Sequence, residues 1–168
     1  MQRRTMLLLA MAAPLGACGE TAIETFATLA AADRALVELL QQPHRTSGAW
    51  KLGQVLEHAT QSVEYSMSGY PQKKPALFRA TVGATAFAFF DSRGSMSHAL
   101  DQPIPGAPAL KDGALAPAVA RLRDMLARFA AHRGALQPHF AYGELSHAQY
   151  TRAHLMHLAN HWSEVLRA

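Results

Sequence analysis

The sequence predicts an all-α fold, a four-helix bundle with a short extra helix and a long loop between its second and third helices. Three observations predict it. Apolar residues recur at helical spacing in four separate segments; capping or breaking residues bound those segments; and no stretch shows convincing strand alternation. At 49% hydrophobic and 17% charged residues, the chain is no disordered polymer, and 168 residues give room for one domain with a real core.

Thr28 caps a first helix over about 28–41, which Pro43 stops. Ser47 precedes a second over about 49–67, where Leu52, Val55, Leu56, Ala59 and Val63 share one face and Gly69-Tyr70-Pro71 ends it. The apolar stretch 78–90 reads as the short extra helix packed on the bundle. Residues 92–113, with Pro103-Ile104-Pro105-Gly106, read as a long loop, of a length that is usually functional or mobile. A third long helix spans 115–132: Pro117 suits its first turn, Val119, Leu122, Leu126 and Phe129 form its stripe, and Gly134 closes it. Ser146 caps the last, which is expected to run to about residue 166.

Ahead of the bundle, residues 1–17 read as a targeting segment. Arg3 and Arg4 precede an apolar run over 6–13, too short for a permanent membrane span. The run closes with Leu15-Gly16-Ala17-Cys18, which resembles the bacterial lipobox, where the cysteine is acylated and becomes the mature N-terminus. Leu15 is not the small residue that ordinary signal cleavage after Ala17 would want. Cys18 is the single cysteine, so no intramolecular disulfide forms. The competing reading is a chance cysteine behind an apolar extension. On the lipoprotein reading, residues 19–27 are a short tether and 28–168 the helical domain. The expected location is then the periplasmic side of the cell envelope, with Gly19 rather than Asp after the cysteine pointing to the outer membrane over the inner. The arginine pair also looks like a twin-arginine export signal.

The formal charge of +4 falls to +2 without Arg3 and Arg4, and no Lys/Arg stripe with interleaved aromatics appears, so no nucleic-acid partner is expected. The nine histidines are the compositional oddity. His154, His157 and His161 fall within one sector of about 60° on the last helix. His157 and His161 stand one turn apart, a rise of roughly 6 Å that lets two imidazoles reach one ion. Arg152 and Asn160 fall on the opposite, outward side. Spacing alone leaves two readings side by side: metal ligands, or boundary histidines in hydrogen-bonding roles. It also places His58 beside Gln61 and Ser62, well away from the centre of its helix's apolar stripe, as a half-exposed residue.

The strings Trp50-Lys51-Leu52-Gly53-Gln54-Val55-Leu56-Glu57-His58, Ser62-Val63-Glu64-Tyr65-Ser66-Met67 and Gly69-Tyr70-Pro71, together with the closing HxxHxxxH, resemble the DinB-like superfamily of four-helix metalloenzymes, in an uncharacterised domain-of-unknown-function subgroup. The resemblance covers about 29–166. It implies a divalent metal, zinc or nickel foremost, held by one histidine of the second helix and two of the last, with open coordination positions. Carried over by position, these are His58, His157 and His161. His154, His139 and Tyr150 become neighbours or alternate ligands. Members of known activity are thiol-dependent transferases or isomerases, in which the metal lowers the pKa of a bound water or thiol. An exported location argues against low-molecular-weight thiols as co-substrates.

Glu57 and Glu64 are candidate general bases that read better as a solvated face. Tyr142 is a candidate ligand-binding hydroxyl, and His44, His98, His132 and His147 read as surface residues. No phosphate loop, cysteine-rich zinc motif or nucleophile elbow appears. The expectation is a lipid-tethered protein with a DinB-like divalent-metal site, acting as a transferase or hydrolase. The alternative is a non-catalytic binding protein with a vestigial site. Its expected partners are the membrane through the anchor, a small-molecule substrate or ligand, and a second copy of the chain.

Overall fold

The computed structural model describes residues 25–168. The targeting segment and Cys18 lie outside the described residues.

Helix α1, Leu29–Glu38, starts where its cap predicts: the Thr28 Oγ1 accepts from the Ala31 amide at 3.1 Å. It stops short of the expected end, and the chain turns into strand β1, His44–Thr46. Helix α2, Leu52–Ser68, begins later than expected. Its first turn is closed by Gln54, whose Oε1 accepts from the Lys51 amide at 3.0 Å, and Gly69, at φ 105°, ends it.

The extra helix is longer than its apolar run suggests. Helix α3, Ala76–Phe78, passes through a π-helical turn, Arg79–Gly83, into α4, Ala84–Arg93. Contact with a neighbouring loop explains that turn. A Cβ on Gly83 would stand 1.8 Å from the Ala141 carbonyl oxygen, and one on Gly143, at φ 82°, would stand 3.3 Å from that of Arg79. The π turn and the 139–143 turn thus approach backbone to backbone, a contact open only to glycine. Phe87 is buried, but Leu77, Val82 and Phe89 stay exposed, so this helix packs on the rest by a narrow side only.

After a loop without regular structure come α5, Leu115–Ala131, and α6, His147–Trp162. Helix α2 lies mainly against α5, while α6 touches α1, α2 and α4. Leu36, Leu56, Leu122, Phe129, Leu155 and Met156 meet in the core with almost no exposure, each contributing about 1.5–3 kcal/mol of burial. Arg152 corrects its outward assignment: it pairs with Asp91, and its Nη2 donates to the Asp91 carbonyl at 2.6 Å, pinning α6 to α4. Its helix has neighbours on more than one side, which a single amphipathic wheel does not convey.

The end of the chain is also corrected. Residues expected as the last turns of α6 form strand β2, Val165–Arg167, antiparallel to β1 with Arg45 opposite Leu166. The Ser47 amide donates to the Glu164 carbonyl at 2.9 Å, and the Ala168 amide to that of Pro43 at 3.0 Å. The architecture is therefore mostly helical with one two-stranded sheet, and that sheet ties the C-terminal end of the chain to the connection between α1 and α2. Among the described residues, no helix is long and apolar enough to cross a membrane.

Candidate metal centre

Local sequence fixes the register of α6. Ser146 Oγ accepts from the Gln149 amide at 3.2 Å, and Gln149 Oε1 accepts from the Ser146 amide at 2.9 Å, a reciprocal capping box. From that start, the helical repeat carries His157 and His161 to the side facing α2. There they meet His58. One ligand atom from each of the three lies within 4.8 Å of the others, and the Nε2 atoms of His58 and His157 are 3.0 Å apart. The three ring centroids are separated by 4.9–5.0 Å.

His58 and His161 are 3% and 0% exposed, and His157 is half-buried. The half-exposed position expected for His58 is thereby corrected. Gln61 and Ser62 beside it are buried as well, because the 94–114 loop closes over the side of α2 that α5 leaves free: Gln61 Nε2 donates to the Pro108 carbonyl at 3.2 Å. Trp50 forms the other wall, its ring 4.9 Å from that of His58 and stacked on His161 at 5.7 Å and 10°.

Electrostatics keep these rings neutral. Burial, followed by the neighbouring His161 and His98, pushes His58 down to about 3. Burial and His98 push His161 down to about 4. His157 falls well below the ordinary histidine value, through burial first and then the surrounding imidazoles. A neutral imidazole is the form that carries a lone pair for a metal.

The donor set fits a divalent ion. His58 Nδ1 and both nitrogens of His161 are buried without a hydrogen-bond partner among the described residues. Buried polar atoms in folded proteins are normally satisfied, so such a cluster signals a group the site is built to hold. Ligands sharing one ion at roughly 2.1 Å place their donor atoms about 3–4 Å apart, close to the spacing here. Three neutral nitrogens suit zinc, nickel, iron or copper better than the hard, oxygen-seeking ions.

His58 and His157 line a cleft of about 350 Å³, whose apolar side is formed by Met96, Ile104, Phe140 and Tyr142. His154 and His139 line the same cleft but keep other company. His154 is buried, its ring edge-on to Phe129 at 4.9 Å and stacked on Tyr150 at 5.4 Å. His139 Nδ1 accepts from the Ala141 and Tyr142 amides, both at 3.2 Å, which leaves its proton on Nε2. Its ring stacks on Tyr142 at 4.3 Å. The Tyr150 hydroxyl donates to the Gln137 carbonyl at 2.6 Å, and burial raises its pKa, so it stays a neutral donor held by the backbone. Glu57 is ion-paired with Arg121 and Glu64 is exposed, so neither is poised as a base.

His98 corrects the sequence reading most sharply. It was expected at the surface; instead its ring lies 4.9 Å from that of His157 and 5.2 Å from that of His161, and it lines the cleft. No periodicity marks a loop histidine, and the only available signal was its place in an unusually long loop. His147, also expected at the surface, is half-buried, stacked on Phe129 with its Nε2 3.0 Å from the Phe129 carbonyl oxygen.

Comparison with known proteins gives a family for this geometry. A family model described as "Protein of unknown function (DUF1569)" matches residues 22–168, and the chain belongs to that family. No curated protein and no solved structure matches it.

Proposed function

We propose that the protein is an exported lipoprotein whose domain, of DinB-like four-helix type, binds a divalent metal through His58, His157 and His161. On this reading it acts as a metal-dependent transferase or hydrolase on a small molecule seated in the adjoining cleft. On this reading helices α1, α2, α5 and α6 make the bundle, and the helical segment 76–93, longer than α1, is the insertion between its second and third members. One observation carries the proposal: three neutral imidazoles from two helices converge within 4.8 Å, with buried nitrogens that find no partner among the described residues. Of the ions that nitrogen ligands suit, zinc and nickel are the ones the resemblance puts foremost.

When bound, such an ion supplies Lewis acidity and lowers the pKa of a group placed in its open position. The chain's own side chains supply the remainder. Met96, Ile104 and Phe140 keep that end of the cleft apolar, which strengthens electrostatic contacts within it. His139, protonated at Nε2, offers a donor on the wall, and Lys74 brings a positive charge to the lining.

Elemental analysis of purified protein should give about one equivalent of divalent metal, lost in the His157→Ala/His161→Ala double variant. Metal-free native protein that cannot be reloaded would overturn the proposal. The largely apolar lining also favours a second reading, a non-catalytic ligand-binding protein; ligand binding unchanged after chelation would select it. Export rests on Leu15-Gly16-Ala17-Cys18. Palmitate labelling that disappears in Cys18→Ser, with globomycin-sensitive processing, is the expected result.

A further inference from the structure

We propose that His98, on the loop between α4 and α5, is a fourth nitrogen ligand of the centre and fills the position that three helix-borne histidines leave open. The inference rests on the reading of His58, His157 and His161 as ligands and adds a residue that neither the resemblance nor the family assigns.

Four observations carry it. First, the ring of His98 stands 4.9 Å from His157 and 5.2 Å from His161, the same spacing that the trio keeps within itself. Imidazoles sharing one ion at roughly 2.1 Å have centroids about 5 Å apart, so this ring sits at ligand distance from two of the three. Second, its tautomer is set for ligation. Nδ1 lies 2.8 Å from the Ala99 carbonyl oxygen and donates its proton there, leaving the lone pair on Nε2. A ligating histidine commonly has this same outer bond to a backbone carbonyl. Third, that Nε2 is buried and finds no partner among the described residues, although the residue as a whole is half-buried. A loop histidine could turn outward and be hydrated at little cost; this one points its free lone pair into the protein.

Fourth, the loop is anchored around it. Met96 and Ile104 are buried on either side, and the Tyr142 hydroxyl contacts the Met96 sulfur at 3.9 Å. The Pro108 carbonyl is held by Gln61, three residues along α2 from His58. His98 nonetheless stands outside the set of ligand atoms that all lie within 4.8 Å of one another. It reaches the ion by a small movement of its loop, whereas the trio is fixed on helices. A ligand of that kind closes the site at rest and yields its place to an incoming donor.

X-ray absorption on zinc-loaded protein decides the point without reference to activity. Four imidazoles per zinc are expected in the wild type and three in His98→Ala. Zinc affinity, measured by chelator competition, should also fall in the variant, by at least ~10-fold, the least that loss of even an outer-shell partner brings. In the cobalt-substituted proteins, azide should bind at least ~10-fold more tightly to His98→Ala, because no resident ligand has to leave. Because the wild-type imidazole count stands alone, a poorly folded variant would not spare the proposal. One equivalent of zinc with three imidazoles in both proteins overturns the assignment of His98 and leaves the trio standing. Wild-type protein that takes up no zinc overturns the three-histidine reading and this inference together.

Discussion

Two groups of histidines differ in what their ring nitrogens touch. His139 and His147 are held by the backbone: the first accepts two amides through Nδ1, and the second sets Nε2 against the Phe129 carbonyl. Both also stack on an aromatic ring, Tyr142 and Phe129 respectively. His58, His157 and His161 form the second group, where the nearest polar atoms are one another's nitrogens and buried ones are left over. His154 lies between, with aromatic neighbours on two sides and a buried, unpartnered Nε2. Burial alone does not separate these groups, since His139 and His58 are both below one-tenth exposed. Hydrogen-bond satisfaction does: a structural histidine spends its nitrogens on the fold, and a ligand withholds them from it.

The comparison breaks most visibly in metal affinity. His161→Ala should lower zinc affinity by at least ~100-fold, more than loss of an outer-shell partner brings. His139→Asn should change it by less than ~3-fold, because the Asn carbonyl oxygen can still accept from the two amides. Chelator competition on both variants measures the contrast, and equal losses would erase the distinction.

Acid provides the second contrast. Burial, with His154 nearby, depresses His139 from 6.5 to about 3. A lowered folded-state pKa means that the unfolded chain binds more protons between those limits. The stability due to a neutral His139 is therefore complete above about pH 6.5 and drains away as pH falls toward 3. Between pH 7 and 5 the wild type should lose about 2 kcal/mol more than His139→Asn, as read from urea midpoints. Parallel curves for the two proteins would show that the ring is not buried neutral.

These contrasts also show what the sequence could and could not convey. Helix α6 announced itself through Ser146, Gln149 and a histidine sector, because capping and periodicity are local signals. The long helices α2 and α5 were legible for the same reason. Strand β2 was not: Val165-Leu166-Arg167 acquires its conformation from His44-Arg45-Thr46, more than a hundred residues away, and a helical wheel is blind to such a partner. His58 failed on its own wheel because burial there comes from the 94–114 loop as well as from a facing helix, and only the family resemblance brought it forward. His98 was missed outright. A loop side chain has no period, and what places it is the anchoring of Met96 and Ile104, visible only in three dimensions.

The smallest effects concern stability without metal, where the two groups should respond with opposite signs. His161 buries two nitrogens that have no partner among the described residues, so in the metal-free protein it carries an uncompensated desolvation cost. His161→Leu, of similar volume and beside Trp50, should raise the unfolding free energy of the metal-free protein by about 1–2 kcal/mol while destroying the site. Tyr150→Phe does the reverse. Its hydroxyl donates to the Gln137 carbonyl at 2.6 Å, and removing it strands a buried acceptor, so stability should fall by about 1 kcal/mol with zinc affinity unchanged. Thermal or urea unfolding of the two chelated proteins tests both signs. If His161→Leu destabilises as Tyr150→Phe does, His161 belongs with the structural histidines. If it stabilises, the protein carries that cost in its metal-free state for the sake of a ligand it has not yet bound, as a site selected for binding rather than for folding should.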